Sequence, residues 1–297
     1  MARVTPSPQV AASVRRAILG WYAREHRDFP WRRTREPYAV LVSEVMLQQT
    51  QASRVVERFE RFMRRFPTAE ELAAARSADV IAEWSGLGYN RRAVMLQRAA
   101  AEVARDGWPR EPAALQRLPG VGAYTARAIA SLAFGRPVGV VDTNVRRWLV
   151  RRFAVEDRPT RLQEAADALA SASTAEAKPA THGADDVAAW THASMEFGAA
   201  VCRARNPRCD DCPVRDGCPS RGRPARVVGA RQPAFAGSRR ARRGALLRAL
   251  AAADGHRLSL EAVGNADPSA LQEVVMTMEA DGLVHRRGDE LRLGPGR

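Results

Sequence analysis

Residues 118–130 read LPGVGAYTARAIA and residues 138–148 read VGVVDTNVRRW, and the fold turns on this pair of segments. The first sets a Gly-x-Gly turn, Gly120 and Gly122, ahead of a stretch with helical spacing. With no side chains at the turn, backbone N–H groups at the start of the helix are open to one phosphate oxygen. A hairpin of this kind grips a nucleic-acid backbone without reading its bases. The second segment is a short apolar approach, then Asp142, then another helix. Asp142 is open to two readings. It is an ordinary N-cap, or the helix N-terminus keeps it ionised as a transition-state partner for positive charge.

Working outward, most of residues 1–217 read as short helices. Segment 9–26 carries Val10, Val14, Ile18, Trp21 and Tyr22 at helical spacing. Pro30 and Pro37 bracket the loop DFPWRRTREP before a run at 38–51. The spacing predicts further helices over 53–65, 69–75, 77–84, 91–106, 112–117, 123–134, 144–153, 161–172 and 186–200, separated by Gly, Pro, Asn or Asp. No alternating strand pattern precedes residue 283, so this part is all-α. Residues 171–186 are small and polar and read as a surface excursion, and 219–237 as a linker rich in Pro, Gly and Arg. Beyond it come a helix at 238–253, a second starting at Asp267-Pro268 with Leu271, Val274, Val275 and Met278 on one face, and LVHRR-GD-ELRL as a β-hairpin. This end resembles a small winged-helix unit, with a helical cap on the main domain as the alternative.

The chain has 297 residues, 47 Lys+Arg against 33 Asp+Glu, and a net charge of +14. With 45% apolar and 27% charged residues it is globular, and its length suggests about two domains. No stretch has the roughly 18 apolar residues of a membrane span, and MARVTPSPQVAASVRR lacks a signal-peptide core, so an intracellular protein is expected. The basic excess fits a polyanionic partner, nucleic acid first, although a GC-rich genome also inflates arginine. Only Lys178 is a lysine; the other 46 basic residues are arginines.

The four cysteines, Cys202, Cys209, Cys212 and Cys218, lie within 17 residues, spaced C-x6-C-x2-C-x5-C. That density argues for one metal centre with four thiolate ligands rather than disulfides. A single C-x2-C pair makes zinc the less favoured occupant. In AVLVSEVMLQQTQ, Glu44 has Val40, Leu41 and Leu47 on its helix face. A glutamate there is costly unless neutral or paired, so it is either a carboxyl with a raised pKa or a salt-bridged structural residue. One carboxyl pushed up beside one held down suits a general acid next to a charge stabiliser.

The phosphate hairpin, Asp142 after it, and the cysteine motif together resemble the helix-hairpin-helix DNA glycosylases with an iron–sulfur cluster. FPWR at 29–32, SEVMLQQTQ at 43–51, RFPT at 65–68, GLGY at 86–89 and LPGVGAYTA at 118–126 resemble the adenine-specific MutY type within them. The match spans about residues 10–220. It implies a two-lobed all-α fold, with an N-terminal helix at 1–29 joining a cluster lobe at 143–220, a six-helix lobe at 30–142, a linker at 221–237 and the small unit at 238–297. It also implies a [4Fe–4S] cluster on the four cysteines, and excision of adenine mispaired with 8-oxoguanine or guanine from duplex DNA by a monomer in the cytoplasm or nucleoid.

Carried onto these residues, Glu44 protonates the adenine and Asp142 stabilises the sugar cation, with Tyr124 and Asn144 positioning them. Gln48 and Tyr89 match residues that wedge into the duplex, Gly120 and Gly122 hold phosphate, and Arg27, Phe29, Trp31 and Arg32 match the wall of the adenine pocket. From the residues alone, Tyr89 and Trp31 could equally be core, and the arginines of RARNPR after Cys202 a solvated loop. Related lyases use a lysine where Tyr124 stands, so a monofunctional glycosylase is expected. A thymine mismatch glycosylase and a non-catalytic DNA-binding protein are the alternatives. His192 replaces the family's usual Gln or Glu, and Asp142-Thr143-Asn144 mixes two subfamily patterns. Fewer than 80 residues follow Cys218 where typical members carry a Nudix-like domain, and the basic hairpin at 283–293 is the candidate substitute.

Overall fold

A computed structural model describes residues 5–172, 187–222, 237–263 and 268–296. It divides into two compact units: Met1–Val40 with Arg110–Arg117 and Val121–Ala230, and Leu41–Pro109 with Leu118–Gly120 and Arg231–Arg297. The division falls inside α2 (Pro37–Leu47) and inside the Gly-x-Gly turn.

The first unit holds α1 (Pro8–Glu25), α7 (Pro112–Leu115), α8 (Ala123–Leu132), α9 (Thr143–Phe153), α10 (Pro159–Ala170) and α11 (Val187–Ala200). Ser7 caps α1 by accepting the Val10 N–H, with Pro8 at the first position. Its apolar stripe, Ala11, Val14, Ile18 and Trp21, is buried with Val145, Trp148 and Leu149 of α9, Leu162, Ala165 and Leu169 of α10, and Trp190 and Phe197 of α11. Trp148 lies edge-on to Phe197 at 5.7 Å and donates from Nε1 to the Ser194 carbonyl at 3.0 Å. Buried Arg15 donates to the terminal carbonyls of α10 at Leu169 and Ala170, which have no partner within the helix. Gly139 is required where it is, because a Cβ there would lie 2.4 Å from the Ala166 carbonyl carbon.

The second unit holds α3 (Ala52–Arg65), α4 (Ala69–Ala74), α5 (Ser77–Trp84) and α6 (Arg91–Asp106), then α12 (Arg239–Ala252), α13 (Leu260–Val263) and α14 (Pro268–Ala280). Strands β1 (Arg257–Ser259), β2 (Val284–Arg287) and β3 (Glu290–Leu293) form an antiparallel sheet in the order β1-β3-β2. Helix, strand, two helices and a two-stranded wing in this order make the winged-helix-like extension. β1 was hidden in the sequence because three residues cannot show an alternation. It forms by pairing with β3, Leu258 opposite Leu291 and its two neighbours opposite Arg292 and Glu290. The extension packs on α5 through α12 and β3, with Gly294 against Ser77 and Ala78. Among the described residues of α14, the outward positions Glu273 and Met276 are exposed and Glu279 is half-buried, so that face carries no basic groups. In the wing, Arg292 bonds Glu290, Arg286 approaches Glu279 at 3.8 Å, and Arg287 is exposed.

Among the described residues, no helix is long and apolar enough to cross a membrane.

Candidate active site and cluster loop

Asp142 caps α9. Its Oδ1 accepts the backbone N–H of Asn144 at 2.9 Å and of Val145 at 2.6 Å, and its Oδ2 accepts Nδ2 of Asn144 at 2.7 Å. The N-cap reading of Asp142 holds, but the charge balance differs from the expected one. Burial holds the Asp142 carboxyl above the ordinary carboxylate range, and the three N–H donors and nearby Arg147 only partly pull it back.

Asn144 is itself held. Its Oδ1 accepts from Arg147 Nη2 at 2.8 Å, and Arg147 also donates to the carbonyls of Gly198 at 2.5 Å and Cys202 at 2.7 Å. A Cβ at Gly198 would stand 2.7 Å from the Asn144 carbonyl oxygen, so only glycine lets α11 run this close to the start of α9. A continuous set of hydrogen bonds thus joins Asp142 to the backbone of the first cysteine of the cluster loop. Tyr124, in the first turn of α8, sets its hydroxyl 3.9 Å from the sulfur of Met195.

In the same unit, Glu196 was missed by sequence reading. Its side chain is 1% exposed and accepts from Arg27 Nε at 2.6 Å and Arg32 Nη2 at 2.7 Å. Burial opposes the charge, yet the two arginines together hold this carboxyl below its usual value. Arg32 also lies over the ring of Phe29, which stacks on buried Trp31 at 4.9 Å. The only signal was an acidic residue inside the apolar run WTHASMEFG; its partners lie about 165 residues away in sequence. His192, one turn before Glu196, is pushed down to about 3 by burial, with Arg32 adding to the effect, and is neutral at physiological pH.

The second unit carries Glu44, Gln48, Tyr89 and Gly120. Glu44 is 5% exposed on α2, between Leu41 and Leu47 of the same face. Gln48 follows α2, and Tyr89, 43% exposed, closes the GLGY turn. Gly120 has φ +74°, and a Cβ on it would lie 2.7 Å from Met95 Cβ. At Gly122, the N-cap of α8, a Cβ would meet nothing within 4 Å. That is the open approach a phosphate needs.

The four cysteines form no disulfide with one another, are all half-buried, and line one cavity with Arg151. Arg151 lies 3.7 Å from the Cys202 sulfur and donates to the Arg203 carbonyl at 2.6 Å. Burial raises the Cys202 thiol and pushes Cys212 up to about 11, so thiolates persist here only against a cationic partner. Among the described residues no three His, Cys, Asp or Glu side chains are arranged to hold a single metal ion. Four cysteines lining one cavity suit an iron–sulfur cluster held by four thiolates. Of the arginines in RARNPR, Arg203 bonds the Asn206 carbonyl, Arg208 pairs with Asp211, and Arg205 is exposed.

Residues 42–172 match the HhH-GPD superfamily of base excision DNA repair proteins, and residues 202–218 match the iron-sulfur binding domain of endonuclease III. The chain is 39% identical over its whole length to an adenine DNA glycosylase of Mycobacterium tuberculosis, covering 99% of that protein. The chain belongs to the adenine DNA glycosylase family. A human adenine DNA glycosylase is 41% identical over 70% of this chain and 39% of its own. Among solved structures, a thermostable thymine-DNA glycosylase superposes with a TM-score of 0.61 at 28% identity, covering 72% of this chain and 96% of its own. An endonuclease III trapped on DNA superposes at 0.59 with 23% identity, a likeness of fold alone, covering 73% of this chain and 98% of its own. The cofactor of this adenine DNA glycosylase family member is a [4Fe–4S] cluster.

Proposed function

We infer that this chain is a base-excision-repair DNA N-glycosylase that removes adenine from duplex DNA, and that its target is adenine mispaired with 8-oxoguanine or guanine. The observation that carries this is similarity to an adenine DNA glycosylase along the whole chain, which carries carboxyls at both 44 and 142. The adenine is flipped from the stack before reaction, with Gln48 and Tyr89 entering the space it leaves. Glu44 donates a proton to the adenine ring, so that the base leaves neutral as its bond to the sugar breaks. Asp142, oriented by Asn144, stabilises the cationic sugar until water adds and passes its proton to the Glu44 carboxylate, leaving an abasic site and restoring the acid. Tyr124 positions these groups, and Arg27, Trp31 and Arg32 wall the base pocket. Gly120 and Gly122 hold backbone phosphate.

Cys202, Cys209, Cys212 and Cys218 would hold the cluster. When bound, it supplies the positive charge that keeps the thiolates ionised and cross-links the loop that carries the Arg147 acceptor. Strand cleavage through a Schiff base is not expected, because position 124 is tyrosine and the sole lysine, Lys178, is far from the hairpin in sequence. The enzyme acts as a monomer, in the cytoplasm or at the nucleoid.

The deciding assay incubates the protein with adenine opposite 8-oxoguanine, adenine opposite guanine, and thymine opposite guanine, followed by hot alkali. Cleavage at the adenine is expected with either opposite base. Cleavage at thymine alone would move the chain to the thymine-specific reading that the fold likeness also allows.

A further inference from the structure

One side chain in the first turn of α6 reaches both segments assigned to the wedge. Arg92 Nη1 donates to the carbonyls of Val45, Met46 at 3.2 Å and Gln48 at 2.8 Å, and its Nη2 to those of Gly88 at 2.9 Å and Leu87 at 3.4 Å. The carbonyls at the end of α2 have no donor within the helix, and those of the GLGY turn belong to no regular element. The guanidinium plane lies 5.3 Å from the fully buried Trp84 ring and 5.7 Å from that of Tyr89.

Both segments need holding. Gln49 and Tyr89 are non-glycine residues in the left-handed region, at φ 56° and 47°, and Gly86 and Gly88 lie at φ 96° and 73°. Such conformations cost about 1 kcal/mol or more for each non-glycine residue and persist only where the surroundings impose them. A planar fork of five N–H donors can bridge two loops at once; a lysine amine, with three donors on one atom, cannot reproduce its span.

We propose that Arg92 is a positioning residue for adenine extrusion, locking the Gln48 and Tyr89 segments into one preformed double wedge before DNA arrives. The proposal rests on the reading of Gln48 and Tyr89 as the residues that enter the duplex. A preformed wedge lowers the ordering cost of entry. Its contribution is therefore largest where the target must be pulled from a pair and a stack, and small where nothing holds the target.

The test uses cluster-loaded, full-length protein carrying Asp142→Asn, so that no base is cut. Two duplexes of one flanking sequence carry 2-aminopurine at the target, opposite guanine in one and opposite an abasic-site analogue in the other. The fluorescence rise on binding reads extrusion. Arg92→Lys is expected to slow extrusion about tenfold or more from the paired site and less than about threefold from the unpaired one. Equal losses on both duplexes, or none on the paired one, overturn the proposal. Arg92→Gln carries the same expectation and serves if the lysine variant does not fold. Gln48→Ala and Tyr89→Ala separate the proposal from the reading beneath it. Pair-selective loss in these two but not in the Arg92 variants overturns the clamp alone, and its absence from all withdraws the wedge reading and the clamp with it.

Discussion

At the residue scale, pH separates the structural duty of Asp142 as the N-cap of α9 from the chemical duty proposed for it. Its carboxyl lies above the ordinary value in the fold, so ionising it costs stability: this group favours the fold most at low pH, and that advantage fades as pH rises through the raised value. Asn caps a helix as well as Asp. Asp142→Asn is therefore expected to leave the melting temperature at neutral pH unchanged or higher while cutting single-turnover excision by about a hundredfold or more. A clear drop in melting temperature would show that the ionised carboxylate stabilises the fold. Glu196 has the opposite sign. Its stabilisation is present above the ordinary glutamate value and is lost as pH falls through its lowered one. Glu196→Gln keeps an acceptor but leaves the largely buried Arg32 without its counter-charge, and a loss of about 1–3 kcal/mol in denaturant unfolding is expected. Arg27 adds little to that figure, because its side chain is 55% exposed and screened. Asp142 was legible from its place after the hairpin, whereas Glu196 was not, because its meaning depends on arginines that only the fold brings near.

At the scale of elements, the helices were readable because a 3.6-residue period marks a buried stripe. The predicted stretches 53–65, 91–106 and 144–153 appear as α3, α6 and α9 within a residue. The three-residue β1 and the 3-10 turns at Pro30–Arg32 and Asp254–His256 were not readable, since none is long enough to repeat a pattern. The two hairpin glycines looked equivalent in LPGVG, and the structure parts them. Gly120→Ala places a methyl against Met95 in a left-handed conformation, and a stability loss of about 1–3 kcal/mol is expected. Gly122→Ala meets open space at φ −85°. That variant is expected to unfold like the parent yet bind every DNA sequence more weakly, because the methyl stands where a phosphate approaches the helix N-terminus. Equal DNA affinity for the parent and Gly122→Ala in a titration would remove Gly122 from the interface.

At the scale of the whole molecule, each compact unit is assembled from segments that are far apart in sequence, and the terminal extension belongs to the same unit as α3–α6. With a net charge of +14, binding to duplex DNA is expected to weaken linearly on a log–log plot against salt, with a slope near −0.9 for each phosphate neutralised. A flat salt response would mean that the arginines serve mainly internal carboxylates, as Arg146 serves Asp157 and Arg208 serves Asp211. Pure protein is expected to be brown, and loss of that colour on acid or chelator treatment should accompany loss of excision, since the loop that orients Arg147 would lose its cross-link. The sequence by itself determined the chemical inventory: a Gly-x-Gly turn ahead of a helix, two carboxyls in motif context, four clustered cysteines and a single lysine remote from the hairpin in sequence. These depend on residue type and short spacing, which the linear chain carries in full. Only the tertiary structure decided which arginines have internal partners, which way burial moves Asp142, and that Arg92 bridges the carbonyls of Val45 and Gln48 to those of Leu87 and Gly88. Desolvation and hydrogen bonding are set by neighbours from distant parts of the chain, and those become neighbours only when it folds.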